Sequence, residues 1–184
     1  MPRLKQGLVQ IYTGDGKGKT SAAVGAAVRA AGSGLRVAFI QFLKGGEESG
    51  EVHVLRDLPN VTMRRFGVDW RELAQQDPAW WRLPPTDDER QLVQEGMRFA
   101  AELLSAGEHD VVILDEITDA CSKGLVTTED IAALMTNRPR HVELIVTGRG
   151  APKALQKAAD LVTEMKEVKH PLARGIAARR GVDC

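Results

Sequence analysis

Cysteine is nearly absent from this chain. Of 184 residues only Cys121 and Cys184 carry a thiol, too few for a disulfide framework and in keeping with a reducing compartment. The four histidines, His53, His109, His141 and His170, show no HxxxH spacing, and no CxxC occurs. A transition metal held by soft protein ligands is therefore not expected. No apolar run nears the ~20 residues that cross a bilayer. The basic residues within Met1 to Gly7 are not followed by an apolar segment of the secretory kind. Nor is one sign of charge in excess: 25 Lys+Arg stand against 25 Asp+Glu. That balance argues against a protein whose task is to coat nucleic acid or an anionic membrane. The expectation is a cytoplasmic protein with no membrane or nucleic-acid partner. Aromatic residues make up only 4%, but hydrophobic residues reach 43% and charged ones 27%, an ordinary globular composition. Residues 1–184 read as one domain, long enough for a core without staples.

What is present is an alternation of short apolar runs and amphipathic stretches. Gly7–Tyr12 reads as a first strand, and Leu35–Phe42, Val61–Phe66, Val111–Leu114, Val142–Thr147 and Leu161–Met165 as later ones. Between them, Val24, Ala27, Val28 and Ala31 recur at helical spacing. Thr86–Ser105 is the clearest helix, with Val93, Met97, Ala100 and Leu104 on one face and Asp87, Asp88 and Glu89 in its first turn. Thr127 opens another, with Asp130 at the acidic position of a capping box and Ile131, Leu134 and Met135 facing inward. Pro152 suits the first position of a further helix. Near-continuous apolar strands separated by helices predict a mainly parallel sheet covered on both faces. Residues 67–86, which hold all three tryptophans, and the mildly basic tail after His170 are less regular.

Between the first strand and the first helix stands Thr13-Gly14-Asp15-Gly16-Lys17-Gly18-Lys19-Thr20-Ser21. Alternate glycines let backbone N–H groups approach phosphate oxygens, and the following helix N-terminus adds unsatisfied donors. Lys19 supplies a mobile positive charge, and the Thr20 hydroxyl is a hard ligand suited to Mg²⁺. The strict phosphate-loop pattern has glycine where this chain has Thr13, so a glycine-rich turn followed by a chance Lys-Thr is the competing reading. A second half of such a site is predicted on Val111–Glu116, an apolar strand ending in paired carboxylates, the arrangement that positions magnesium in P-loop proteins. Together the two motifs predict a nucleoside triphosphate site with Mg²⁺ on a three-layer α/β fold of the P-loop NTPase-like (RecA-like) type. They leave the reaction open among hydrolysis, phosphoryl transfer, use of ATP to donate another group, and binding without chemistry.

Tyr12 to Thr20 and Gln41-Phe42-Leu43-Lys44-Gly45 resemble the ATP:corrinoid adenosyltransferases of the bacterial cob(I)alamin / cob(I)yrinic acid a,c-diamide type. Leu114-Asp115-Glu116-Ile117-Thr118, Asn137-Arg138-Pro139, Val146-Thr147-Gly148-Arg149-Gly150 and Val168-Lys169-His170-Pro171 continue the likeness in order. It runs from about Gly7 to the C-terminus, and the threonine at position 13 is how that family writes its loop.

The resemblance implies transfer of the 5′-deoxyadenosyl group of ATP to a Co(I) corrinoid, with triphosphate as leaving group. It implies ATP contacts from Thr13 to Ser21 and catalytic roles for Lys19, Thr20 and Glu116. Mg²⁺ would be held by Thr20 and Glu116, with Asp115 close by, and Glu116 ranks first of the two carboxylates. Asp15 replaces the asparagine of many relatives, and Lys17 is placed to offset its charge. Arg149, beyond a strand's carboxyl end where ligands of open α/β sheets bind, is a candidate for ATP; a solvated arginine is the alternative. Val68 and Trp70 correspond to the family's corrinoid-facing segment, with Trp80 and Trp81 unplaced and a loop packed on the domain as the plainer account of all three tryptophans. The family also implies a homodimer and an electron-donating flavoprotein that reduces Co(II). A P-loop phosphotransferase or ATPase of another class is the runner-up.

Overall fold

Six parallel strands set the frame. The computed structural model describes residues 4–46, 49–69, 73–75, 77 and 83–182. In chain order they form β1 (Val9–Thr13), α1 (Lys19–Gly32), β2 (Val37–Phe42), α2 (Gly50–Asp57), β3 (Val61–Phe66), α3 (Asp87–Ala106), β4 (Val111–Asp115), α4 (Ile117–Ser122), α5 (Thr128–Asn137), β5 (Glu143–Thr147), α6 (Lys153–Ala158) and β6 (Leu161–Glu164). A short 3₁₀ turn follows at Pro171–Arg174. The sheet order is β3-β2-β4-β5-β1-β6, and every pairing is parallel. The fold is the three-layer α/β arrangement expected of the sequence, with one strand, β5, between the strand leading into the phosphate-type loop and the acidic strand.

Side-chain alternation sorts the core into two layers. Ala38, Ile40 and Phe42 of β2, Val112 and Leu114 of β4, and Leu144 and Val146 of β5 face α3, α5 and α6. Val37, Phe39, Val111, Ile113 and Ile145 face α1 and α2 on the other side. Both faces are thus dry, which is why the central strands read as unbroken apolar runs.

Several local expectations shift. In α1 the buried stripe is Ala23, Ala27 and Ala31, whereas Val28 is 44% exposed. Alanine lets the helix sit close on the sheet, and the bulkier valine turns outward. Pro152 is the residue before α6 rather than its first member. Helices α2 and α4 were not anticipated: eight and six residues respectively, they are too short to show a periodicity. Strand β6 is exposed along its whole length, as an edge strand flanked only by β1. The capping box expected at Thr127 is present, with Asp130 N–H donating to Thr127 Oγ1 at 3.1 Å and Thr127 N–H to Asp130 Oδ2 at 2.9 Å. Those bonds favour the carboxylate and hold Asp130 below the usual aspartate range.

Candidate active site

Because all the strands run one way, their carboxyl ends gather the motifs at one edge of the sheet. Register does the rest. Gln41 lies opposite Asp115 across the β2–β4 pairing, Leu114 opposite Val146, and Tyr12 opposite Thr147. The ends of β1, β2, β4 and β5 therefore surround one point.

The loop that follows β1 is built against β6. Met165 N–H donates to Thr13 O at 2.7 Å, and Gly16 N–H returns to Met165 O at 2.7 Å. Gly14 has φ 98°, and a methyl group on it would collide with the Met165 carbonyl, so glycine is required there on two counts. Thr13 is buried and its hydroxyl accepts from Ala151 N–H at 3.1 Å, tying the loop to the end of β5. Gly18 precedes α1 with no side-chain cap, which leaves the N-terminal amides of that helix open to an anion. The Lys19 ammonium folds back on its own loop, donating to Gly14 O at 2.7 Å and Gly16 O at 2.8 Å. Partial burial, with Arg149 adding to it, lowers its pKa against the pull of Asp119, Glu116 and Asp15. Asp15, Lys17 and Ser21 are exposed, and Lys17 Nζ donates to the Val182 carbonyl at 3.0 Å.

Opposite the loop, Asp115 is wholly buried. A buried carboxylate needs partners, and four side chains provide them. Thr20 Oγ1 donates to Oδ1 at 3.0 Å and Thr147 Oγ1 to the same oxygen at 2.7 Å. Gln41 Nε2 donates to Oδ2 at 3.3 Å, and Lys44 Nζ lies 3.1 Å from Oδ2. Glu116 follows in a left-handed backbone conformation, φ 63° and ψ 18°, which for a non-glycine residue costs roughly 1–2 kcal/mol. That turn starts α4 and leaves Glu116 Oε1 3.3 Å from Lys44 Nζ. Burial raises the Glu116 pKa to about 6, and the neighbouring Asp115 and Asp119 add to it against the attraction of Lys44. Burial likewise opposes the charge of Lys44, but Asp115 and Glu116 outweigh it and hold the ammonium above the ordinary lysine value.

Arg149 lies just past β5 with an exposed side chain. Its backbone is fixed by α4: its N–H donates to Asp119 Oδ2 at 2.8 Å and its carbonyl accepts from Thr118 Oγ1 at 2.9 Å. Burial raises the Asp119 pKa, against the Arg149 contact. Thr20, Asp115, Glu116, Lys19 and the loop thus converge, with Arg149 at their border.

The oxygens of Thr20, Asp115 and Glu116 are hard donors, and the ammonium of Lys44 among them shows that the position favours a cation. This donor set fits Mg²⁺, which takes one or two carboxylates and completes its octahedron with water and phosphate oxygens. Among the described residues no group of three or more His, Cys, Asp or Glu forms a full protein cage for a metal, and a phosphate-bound magnesium needs none. Val68 is half-buried on the segment after β3. Trp70, Trp80 and Trp81 lie outside the described residues.

Sequence reasoning missed Gln41, Lys44, Thr147 and Asp119 as parts of this centre. Gln41 carried a signal, as a polar residue inside an otherwise apolar strand, and Lys44 as the first charge after that strand. Thr147 stood within a segment that carries the family likeness but with no role attached to it, and Asp119 carried no signal, since their place in the site depends on strand order.

Comparison with known proteins agrees with the geometry. The family model described as ATP:corrinoid adenosyltransferase BtuR/CobO/CobP matches residues 5–184. A corrinoid adenosyltransferase of Pseudomonas aeruginosa is 33% identical over 190 residues, covering 98% of this chain and 85% of that protein. Corrinoid adenosyltransferases of Escherichia coli K12 and Salmonella typhimurium are each 31% identical over 179 residues, covering 97% of this chain and 86% of theirs.

Proposed function

This chain belongs to the ATP:corrinoid adenosyltransferase family, and from that premise we propose that it transfers the 5′-deoxyadenosyl group of ATP to the Co(I) centre of a corrinoid, with release of triphosphate. The observation that carries the proposal is the meeting of the phosphate-type loop with the acidic strand, Thr20 Oγ1 standing 3.0 Å from Asp115 Oδ1. Such a site is built to hold a polyphosphate and a hard cation.

The cobalt electron pair forms the Co–C5′ bond, the C5′–O bond breaks, and its electrons leave on the triphosphate. Cobalt is the nucleophile, so no activated serine or cysteine is needed from the protein. The protein's work is to hold the leaving group and align the 5′-carbon. In this reading the amides of Gly14 to Thr20 and the Lys19 ammonium take the triphosphate, Lys19 exchanging its bonds to Gly14 O and Gly16 O for phosphate oxygens. Thr20 and Glu116, with Asp115, would hold Mg²⁺, which neutralises charge on the triphosphate as it departs. Asp15, Lys17, Ser21 and Arg149 border the nucleotide. Val68 and Trp70 would face the corrinoid, excluding water and the displaced axial base. A homodimer, a flavoprotein electron donor and a cytoplasmic setting belong to the same proposal. Among the described residues no helix is long and apolar enough to cross a membrane.

The test is anaerobic incubation with ATP, Mg²⁺ and chemically reduced cob(I)alamin, following the corrinoid spectrum and the phosphate product. A light-sensitive adenosylated corrinoid with one triphosphate per turnover is expected. Orthophosphate or diphosphate without alkylation would assign the site to an ATPase or phosphotransferase instead.

A further inference from the structure

Lys44 touches the same three side chains that would hold magnesium. Its Nζ lies 3.1 Å from Asp115 Oδ2, 3.3 Å from Glu116 Oε1 and 3.3 Å from Thr20 Oγ1. This is not a long side chain drifting to the nearest acid. The backbone that carries it is held in place: Leu43 adopts φ 59°, a left-handed conformation rare for leucine, and its N–H donates to Phe66 O at 2.9 Å. Gly67 packs so tightly on Leu43 and Lys44 that a Cβ there would strike their backbone, and Gly45 packs as closely on Gly67 and Val68. The segments after β2 and β3 are therefore locked together, and the lock points Lys44 at Asp115 and Glu116. Three-quarters of the side chain is covered. An ammonium and a divalent ion so close together repel each other and compete for these oxygens.

We propose that Lys44 is a resident counter-ion, which fills the cation position formed by Thr20, Asp115 and Glu116 in the nucleotide-free protein and gives it up only to magnesium that arrives with the triphosphate. The inference rests on the reading of those three residues as the magnesium seat. Free Mg²⁺ would have to displace an ammonium and gain only a few protein oxygens in return, whereas the metal–triphosphate complex adds loop amides and Lys19 to the exchange. The lysine thereby couples metal entry to nucleotide entry, and keeps the Asp115–Glu116 pair from facing each other without a positive charge between them.

The probe is Mn²⁺ in place of Mg²⁺, titrated into the nucleotide-free full chain and followed by the electron paramagnetic resonance of the unbound ion. Wild type should bind Mn²⁺ weakly. Lys44→Ala should bind it about tenfold more tightly or better, since removing a unit charge about 3 Å from the carboxylates is worth at least that much. Lys44→Arg, which keeps the charge, should stay weak; a merely structural lysine would give no such split. Should Lys44→Ala fail to fold, Lys44→Gln keeps most of the stem and carries the same expectation. Equal Mn²⁺ affinity in wild type and Lys44→Ala would overturn the counter-ion role. If Glu116→Gln then weakens both equally, the seat stands and only the role of Lys44 falls. If Glu116→Gln changes neither, the magnesium reading of the seat falls with it.

Discussion

Thr147 and Asp115 sit on adjacent strands and are joined by a hydroxyl–carboxylate bond of 2.7 Å. The same Thr147 oxygen accepts the Glu116 N–H at 3.0 Å. One buried hydroxyl thus fixes the orientation of the first carboxylate and the backbone of the second. It is the structural support of the acidic pair, although it touches neither phosphate nor cobalt in the proposed reaction.

Thr147→Val conserves shape and deletes that hydroxyl. It leaves the Glu116 N–H without its partner and loosens Asp115, a loss of about 1–3 kcal/mol. Urea denaturation should show that drop, and the Mg²⁺ concentration giving half-maximal activity should rise. An unchanged midpoint would mean that Asp115 is held by its other partners alone.

Lys19→Ala removes the side-chain donor that reaches across the loop from the first turn of α1 to bond Gly14 O and Gly16 O. The fold should survive, because the loop stays tied to the end of β6 by the Met165 N–H bond to Thr13 O and the Gly16 N–H bond to Met165 O. Turnover should fall on the order of a hundredfold or more, the usual penalty for losing one group that stabilises developing charge. Near-normal activity with an intact far-ultraviolet spectrum would sink the phosphate-loop assignment.

Glu116 gives a pH dependence with a definite sign. Its folded pKa of about 6 lies above its ordinary 4.5, so the protonated form is favoured by folding. The stability this contributes is present below about pH 4.5 and is lost as pH rises through about 6. In metal-free buffer, wild type and Glu116→Gln should be closest in stability at the acidic end, and the variant should gain relative to wild type across that window. Allowing for the partial exposure of the side chain, the gain is about 1 kcal/mol. Added Mg²⁺ with ATP should reverse the order above pH 6, since the charged carboxylate is a much stronger ligand for Mg²⁺ than the neutral amide. Thermal melts across the pH series, with and without Mg·ATP, measure both.

Trp70→Ala separates the corrinoid side from the nucleotide side. If the indole helps to form four-coordinate cobalt, activity from Co(II) plus a reductant should fall well below activity from preformed Co(I). Equal losses in the two assays would remove that role from Trp70.

Local chemistry made much of this legible without coordinates. The apolar runs became strands within one or two residues, the Thr127–Asp130 capping box formed as its spacing demanded, and the glycine-rich loop lies between β1 and α1. These features depend on neighbours within a turn or a strand, so the order of residues determines them. The likeness that names the family lies wholly in such segments.

Other features belong to the tertiary structure alone. Thr20 and Asp115 are 95 residues apart and meet because α1 packs across the sheet onto β4, whose carboxyl end carries Asp115. Val28 matched the helical pattern but lost the buried face of α1 to a stripe of alanines, because only the sheet decides how closely a helix can approach. Lys44 and Thr147 lie in segments that carry the family likeness, but their sequence neighbours assign them no role; strand order and register turn one into a counter-ion and the other into a brace. Strand order is settled by which apolar faces must be buried together, and a buried carboxylate then takes its partners from whatever that order brings beside it.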